Sequence, residues 1–204
     1  AEPMPKRLKE MLPALQSAQR HVLTSQNLMA SFTQSTTTAF GSSESNPIQA
    51  ARLVQLLISE MPLPNTPNQD IKFNMDVKLD FPIATKQNLV YLCLTNIWQS
   101  AVQAVRNGTN SPAIEIKIVG SATPQGLVGH TISITDNGPG MPVEMLQYLF
   151  DNPSSKNRHI TTTEGTMGLR FCKKIMRSLG GDLSVNSNQS GTSVTLHFSS
   201  DTKE

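Results

Sequence analysis

The chain is poor in several features that mark particular classes of protein. Its 204 residues include two cysteines and one tryptophan, and no apolar run approaches the roughly 20 residues that a membrane-spanning helix needs. It has no dense run of lysine and arginine, and its formal net charge is only +2, so nucleic acid is not an expected partner. The first residues do not have the pattern of a signal peptide, so none is expected there. We expect a cytoplasmic fragment without direct membrane contact, or the cytoplasmic part of a membrane-bound sensor.

The two cysteines indicate the same compartment. Cys93 and Cys172 both fall inside apolar helical patterns, and neither belongs to a paired Cys-Xaa-Xaa-Cys motif. Such cysteines are typical of buried, reduced thiols in a cytosolic protein. Apolar residues make up 37% of the chain, which suffices for one domain with an appendage.

The first 61 residues predict a helical segment that favours dimerisation. Between Pro5 and Phe32, apolar residues recur every three to four positions, as on one stripe of a helix. A Ser/Thr-rich connection follows, and Asn46-Pro47 predicts the start of a second helix that runs to Glu60. Two helices with apolar stripes pack together, onto a neighbouring domain or against a second copy, so we expect a homodimer. The breakers from Met61 to Pro67 predict a domain boundary, with a second domain over 62–204.

In the second domain, helical and strand patterns interleave. Alternating apolar residues predict strands around Phe73, Ile116, Ile134, Leu183 and Val194, the last two forming a hairpin. Helical patterns cover 86–106, 142–150 and 167–179, and the segment 151–164 has no apolar period. The order predicts an α+β fold, a two-layer α/β sandwich in which helices cover one face of a mixed sheet.

The string from Ile132 to Met141 carries the most chemical information. A strand ends at Asp136, and Gly138 and Gly140 follow in a turn that lets backbone approach a ligand closely. A carboxylate at the floor of such a site can accept a hydrogen bond from an exocyclic amine such as that of adenine. An ordinary turn without a ligand explains the same residues equally well.

Other segments of the chain decide between these two interpretations. Asp136 to Met141 resembles the first glycine box of the GHKL ATPases, which include histidine kinases, DNA gyrase, a class of heat-shock chaperones and the MutL repair proteins. Asn96–Ala104 is similar to their asparagine box, Leu146–Phe150 to the phenylalanine box, Gly165–Gly181 to the second glycine box, and Gly191–Leu196 to the closing strand. The pieces arrive in the family's order, and the short Leu-Gly-Gly-Asp-Leu ending resembles histidine kinases most. The layout from Ala51 to Leu89 is also similar to hybrid sensor kinases of quorum sensing.

The resemblance implies a site for ATP and Mg²⁺. Asp136 would bind the adenine amine with Thr192 in support through water, and Gly138 and Gly140 would form the turn around the base. Gly168 would open a helix whose amides face phosphate, and 151–164 would cover the phosphates. The further residues implied for nucleotide binding are Phe150, Gly165 and Leu169.

The chain departs from the family pattern at two places. Ser100 occupies the register of the asparagine that coordinates magnesium, although Asn96 lies one turn earlier on the same face and is a substitute candidate. Glu164 and Thr166 stand where the family has the first two glycines of the second box, and a one-residue shift makes Gly165 a hinge instead. A carboxylate near phosphates opposes binding.

The sequence therefore leaves two functions open. In the first, the chain is a histidine kinase that binds ATP and Mg²⁺, phosphorylates a histidine and serves a response regulator or receiver domain. His21 is the only early histidine and thus the candidate phospho-acceptor, although it lacks the acidic residue that usually follows. In the second, the domain is degenerate and non-catalytic and acts as a dimerising scaffold or a phosphotransfer partner.

Overall fold

A computed structural model describes residues 46–63, 70–84, 86–109, 111–121, 129–150 and 164–199 of the chain. The helices are α1 (Ala50–Glu60), α2 (Gln87–Gly108), α3 (Val143–Phe150) and α4 (Glu164–Ser178). The strands are β1 (Ile48–Gln49), β2 (Lys72–Leu79), β3 (Pro82–Ile83), β4 (Ala113–Val119), β5 (His130–Asp136), β6 (Asp182–Asn188) and β7 (Gly191–Phe198). The predicted helix between Pro5 and Phe32 lies outside these residues.

A five-stranded mixed sheet forms the centre of the described domain. Its strand order is β2-β4-β5-β7-β6, with β2 parallel to β4 and every other neighbouring pair antiparallel. The alternating isoleucines of β4 and β5 are at most 2% exposed, because their side chains all point to the face that α2 and α4 cover. The two-layer α/β sandwich predicted from the sequence is confirmed.

The opposite face of the sheet is polar except where Leu79 pairs with Val119, both of which are exposed. Along each strand, the hydroxyl and charged side chains of this face alternate with the apolar side chains of the buried face. Thr135 on β5 and Ser193 on β7 are hydrogen-bonded across the sheet, with their Oγ1 and Oγ atoms 2.9 Å apart. This alternation fixes which strand residues face the helices, because a slip of one residue would bury the polar set. None of the helices in the described part of the chain combines the length and hydrophobicity needed to cross a bilayer.

Helix α1 begins at Ala50, so the prediction that Asn46-Pro47 starts it is wrong. Ile48 and Gln49 instead pair antiparallel with β3. The first free helical N–H groups are satisfied from the chain after β2, since Ala50 N donates to the Phe81 carbonyl and Ala51 N donates to Asp80 Oδ1 over 3.0 Å. A carboxylate at a helix N-terminus also interacts favourably with the helix dipole.

Two polar contacts join the end of α1 to α2. The Trp98 indole N–H donates to the Met61 carbonyl over 3.1 Å, and the Tyr91 hydroxyl donates to Glu60 Oε2 over 2.7 Å. Burial and this carboxylate both raise the pKa of Tyr91. Helix α1 thus packs within one compact unit that spans Glu44–Glu204. The functional division into 1–61 and 62–204 remains a prediction.

Helix α4 begins three residues before the predicted start at Met167 and ends at Ser178. The early glycines lower helix propensity by only about 1 kcal/mol each, which packing of the later turns can offset. Helix α2 is close to its predicted range of 86–106, and the residue before it, Lys86, has a left-handed backbone with φ of 50°. The predicted cap, Thr85, lies outside the described residues.

The packing of α1 yields a stability prediction. Leu57 is fully buried, whereas Gln55 lies on the exposed side of the same helix. We expect Leu57→Ala to lower the free energy of unfolding by about 2–5 kcal/mol because it leaves a cavity. Gln55→Ala should change it by less than about 0.5 kcal/mol. Urea unfolding followed by Trp98 fluorescence measures both, and equal effects would contradict the packing of α1 in this unit.

Candidate nucleotide site

Asp136 closes strand β5 with its side chain on the buried face of the sheet. It is 7% exposed, and its Oδ1 accepts a hydrogen bond from the backbone N–H of Gly138 over 2.8 Å. Burial raises the pKa of the Asp136 carboxyl above its ordinary value, and the hydrogen bonds from the backbone N–H groups of Gly138 and Thr192 oppose that rise. The side chain is therefore a fixed acceptor at the end of the sheet.

Thr192 stands opposite Asp136 in the antiparallel ladder between β5 and β7. It is 5% exposed, and its Oγ1 lies 2.8 Å from Oγ of Ser187, its partner on β6. Directly paired residues point to the same side of a sheet, so the carboxylate and both hydroxyls occupy one row across three strands. The fold thus brings Asp136 and Thr192 together, and their contact with adenine remains a prediction.

The turn after Asp136 lies against the end of β6. Gly140 has a φ of 76°, and a Cβ on this residue would collide with the backbone carbonyl of Asn188. Beside it, Met141 N donates to Ser187 Oγ over 2.8 Å. Only glycine combines this backbone conformation with so close an approach.

Helix α2 connects this turn with α4. A Cβ on Gly138 would lie 2.9 Å from Ala104 Cβ, and a Cβ on Gly168 would lie 2.9 Å from Asn96 Oδ1. Ser100 lies midway between Asn96 and Ala104 at helical spacings of four, so these three residues share one broad face of α2. The face runs from the second glycine segment to the first, and Ser100 lies between them.

The amide of Asn96 is engaged within the helix layer. Its Nδ2 donates to the Leu92 carbonyl over 3.3 Å, which directs Oδ1 towards Gly168. Ser100 is half-exposed on the next turn. The oxygen atoms available to a hard cation on this face are thus one hydroxyl and one amide oxygen that already packs against α4.

The remaining predicted residues belong to α3, α4 or parts that are not described. Gly168 is the fifth residue of α4, so the expectation that it opens this helix is wrong, and Gly165 lies in the first turn. Leu169 is a core residue at 1% exposure. Phe150 ends α3 and its side chain is not described, while His21 and residues 151–163 lie outside the described parts.

Two residues of the site were missed in the sequence. Asn137 holds the start of β4 next to the turn, since its Oδ1 accepts from Ala113 N and its Nδ2 donates to the Ser111 carbonyl, each over 2.8 Å. Ser187 joins the turn to Thr192. The hairpin register could have located Ser187, because a tight turn between Asn188 and Gly191 places Ser187 opposite Thr192.

A model of the family described as histidine kinase-, DNA gyrase B- and HSP90-like ATPase matches residues 85–202, more than half of the chain. The chain belongs to this family. The match contains Asp136, Thr192 and both glycine segments, so the site just described lies within the ATPase domain.

Solved histidine kinases share the fold of this ATPase domain. The histidine kinase domain of a blue-light-activated kinase from Erythrobacter litoralis is 15% identical with a TM-score of 0.58, over 97% of this chain and 88% of that one. AdeS from Acinetobacter baumannii is 14% identical with a TM-score of 0.55, over 98% and 87%. The mycobacterial sensor histidine kinase MprB is 15% identical with a TM-score of 0.56, over 76% and 96%. The fold is that of histidine kinase catalytic domains.

The close approach at Gly140 can be tested against a glycine of similar conformation. Gly180 has a φ of 80°, but a Cβ there would meet only Ser199 Cβ at 3.8 Å. An alanine at either position costs about 1–2 kcal/mol for its left-handed backbone. Gly140→Ala should cost a further 1–3 kcal/mol or so because it pushes β6 away. Guanidinium unfolding of both variants measures the difference, and equal losses would contradict the contact with Asn188.

Proposed function

We propose that this ATPase domain binds ATP with Mg²⁺ and is the catalytic part of a sensor histidine kinase. The observation that carries the proposal is the buried carboxylate of Asp136, held by two backbone N–H groups beside Thr192. A buried acid that is fixed in this way is costly for a fold, and recognition of a ligand is one reason to retain it.

The base would bind at the end of the sheet. The Asp136 carboxylate accepts backbone hydrogen bonds from Gly138 and Thr192, and an ionised carboxylate has about four lone-pair positions in all. It therefore retains capacity to accept from the exocyclic amine of adenine. Gly138 and Gly140 carry no side chains and would let the backbone of the turn follow the ring.

The phosphates and the cation would lie along the α2 face of Asn96 and Ser100. A serine hydroxyl is a known ligand for Mg²⁺ in other nucleotide-binding proteins, and this ion usually keeps several waters and needs few protein oxygens. Mg²⁺, when bound, would neutralise charge on the phosphates. The early turns of α4 add backbone N–H groups whose partial positive charge favours phosphate.

The reaction would transfer the γ-phosphoryl group to a histidine nitrogen, forming a P–N bond as the bond to the ADP oxygen breaks. His21 remains the candidate acceptor, and residues 151–164 the candidate cover of the phosphates. A homodimer would present the acceptor helix, and a response regulator or receiver domain would take the phosphoryl group. This function fits a cytoplasmic protein or the cytoplasmic part of a sensor.

A second candidate function is a degenerate ATPase domain that acts as a dimerising scaffold or phosphotransfer partner. The observations that favour it lie on α2. Ser100 stands in the register of the magnesium-binding asparagine, and the oxygen of Asn96 packs against Gly168. Loss of the metal ligand alone would leave the base-binding residues intact.

Nucleotide binding through Asp136 can be tested directly. We expect a fluorescent ATP analogue to bind the full chain saturably, and Asp136→Asn to abolish this, because the amide has one acceptor oxygen and must turn its NH2 group towards either the backbone N–H groups or the adenine amine. Asp182→Asn is the matched control, since Asp182 is a half-exposed carboxylate paired with Arg177 on the same domain. Equal affinities of the wild type and Asp136→Asn, or no binding to the wild type at millimolar nucleotide, would contradict the proposal.

The metal site yields a gain-of-function prediction. Ser100→Asn restores the residue type that the family pattern has in this register, so we expect it to raise ATP affinity in Mg²⁺ on the order of tenfold. In excess EDTA the variant and the wild type should bind ATP equally. Gln99→Asn adds the same side chain at the exposed neighbouring position and should change neither value. A rise in the ATP affinity of Ser100→Asn that persists in EDTA would show that Ser100 is not at a metal position.

A further inference from the structure

Ser187 is the common partner of three groups around the candidate site. Its Oγ lies 2.8 Å from Met141 N, 2.8 Å from Thr192 Oγ1 and 3.2 Å from the Gly191 carbonyl oxygen. Strand β6 thereby connects the glycine turn with the residue opposite Asp136. Neither the family motif nor the sequence pattern assigned Ser187 a role.

The protons of this cluster can be assigned by counting. Met141 N can only donate, so Ser187 Oγ accepts there, and a carbonyl oxygen can only accept, so the single Ser187 proton points to Gly191. The contact with Thr192 is then satisfied only if Thr192 donates its proton to Ser187. This is the one arrangement that makes all three contacts hydrogen bonds.

The assignment determines what Thr192 can offer a ligand. With its only proton committed to Ser187, the Thr192 hydroxyl presents lone pairs alone. Asp136, when ionised, is also an acceptor, so neither side chain of the pair can donate to the base. A purine with an amine at C6 can donate to such a site. A carbonyl oxygen at C6 is itself an acceptor and would face the acceptor oxygens of Asp136 and Thr192.

We infer that Ser187 is a specificity-determining positioning residue, which fixes Thr192 as an acceptor and so selects 6-aminopurine over 6-oxopurine nucleotides. It acts through Thr192 and Met141 rather than by touching the base. The inference rests on the proposed nucleotide function and adds the residue that sets base preference. Without the Ser187 hydroxyl, Thr192 can rotate and donate towards a C6 carbonyl, directly or through the water expected between Thr192 and the base.

The test compares ATP with ITP, whose base carries a carbonyl at C6 and a proton on N1. Calorimetric titration of the full chain should show a preference for ATP of roughly tenfold or more in the wild type. Ser187→Ala should lower that ratio roughly threefold without abolishing it, because Asp136 still opposes a C6 carbonyl, with weaker ATP binding and unchanged or stronger ITP binding. Ser187→Thr keeps a hydroxyl and should restore the wild-type ratio.

Ser193→Ala is the matched control, because it removes a serine that also bonds a threonine, Thr135, but on the opposite face of the sheet. The ATP-to-ITP affinity ratio of Ser193→Ala should equal that of the wild type. A Ser187→Ala variant that weakens both nucleotides equally, or leaves the ratio unchanged, would overturn the inference and leave Ser187 a structural residue. Should Ser187→Ala not fold, the isosteric Thr192→Val removes the Thr192 hydroxyl, and this variant must also lower the ATP-to-ITP affinity ratio.

The titrations separate this inference from the proposed function. Failure of the wild type to bind either nucleotide refutes the nucleotide function, and the role of Ser187 falls with it. Binding of ATP that depends on Asp136 but keeps an unchanged ATP-to-ITP ratio in Ser187→Ala refutes only the role of Ser187.

Discussion

The antiparallel pairing of β5 with β7 sets Asp136 opposite Thr192, and the candidate site depends on this contact. The same ladder pairs Ile134 with Val194 and Ile132 with Leu196, all of them buried under the helices. The apolar pairs fix the register, since a slip by one residue would turn the whole row outward. The position of the polar pair at the end of the strands is therefore a consequence of hydrophobic burial further along them.

The burial of the Asp136 carboxylate has an energetic cost that the neighbouring backbone offsets in part. A buried carboxylate loses its hydration, and the N–H groups of Gly138 and Thr192 replace only some of it. Both donors come from segments whose geometry is constrained, one from a turn packed on Ala104 and one from a ladder. The acid is thus preorganised as an acceptor before any ligand arrives, so binding needs little rearrangement of these residues.

Local patterns in the sequence predicted the sheet and the helix layer because strand and helix periods reflect burial directly. Ile114, Ile116 and Ile118 alternate in sequence and are all buried in the fold. The start of α1 was not predictable in this way, since its capping groups, Asp80 and the Phe81 carbonyl, lie about thirty residues away. The candidate site divides likewise: Asp136 is visible in its motif, whereas Ser187 has a role only through the register of a hairpin.

Under the proposed function, base recognition and metal binding would use different layers of the fold. Asp136, Thr192 and Ser187 belong to the sheet, while Asn96 and Ser100 belong to α2. A serine in place of an asparagine on α2 would alter the ligands of a cation there without disturbing the hydrogen bonds at the end of β5. Under the proposed function, the buried acid would therefore preserve adenine binding even where serine replaces a metal-binding asparagine. Metal-dependent affinity and base preference would then be separate properties, and each would report on a different layer of the fold.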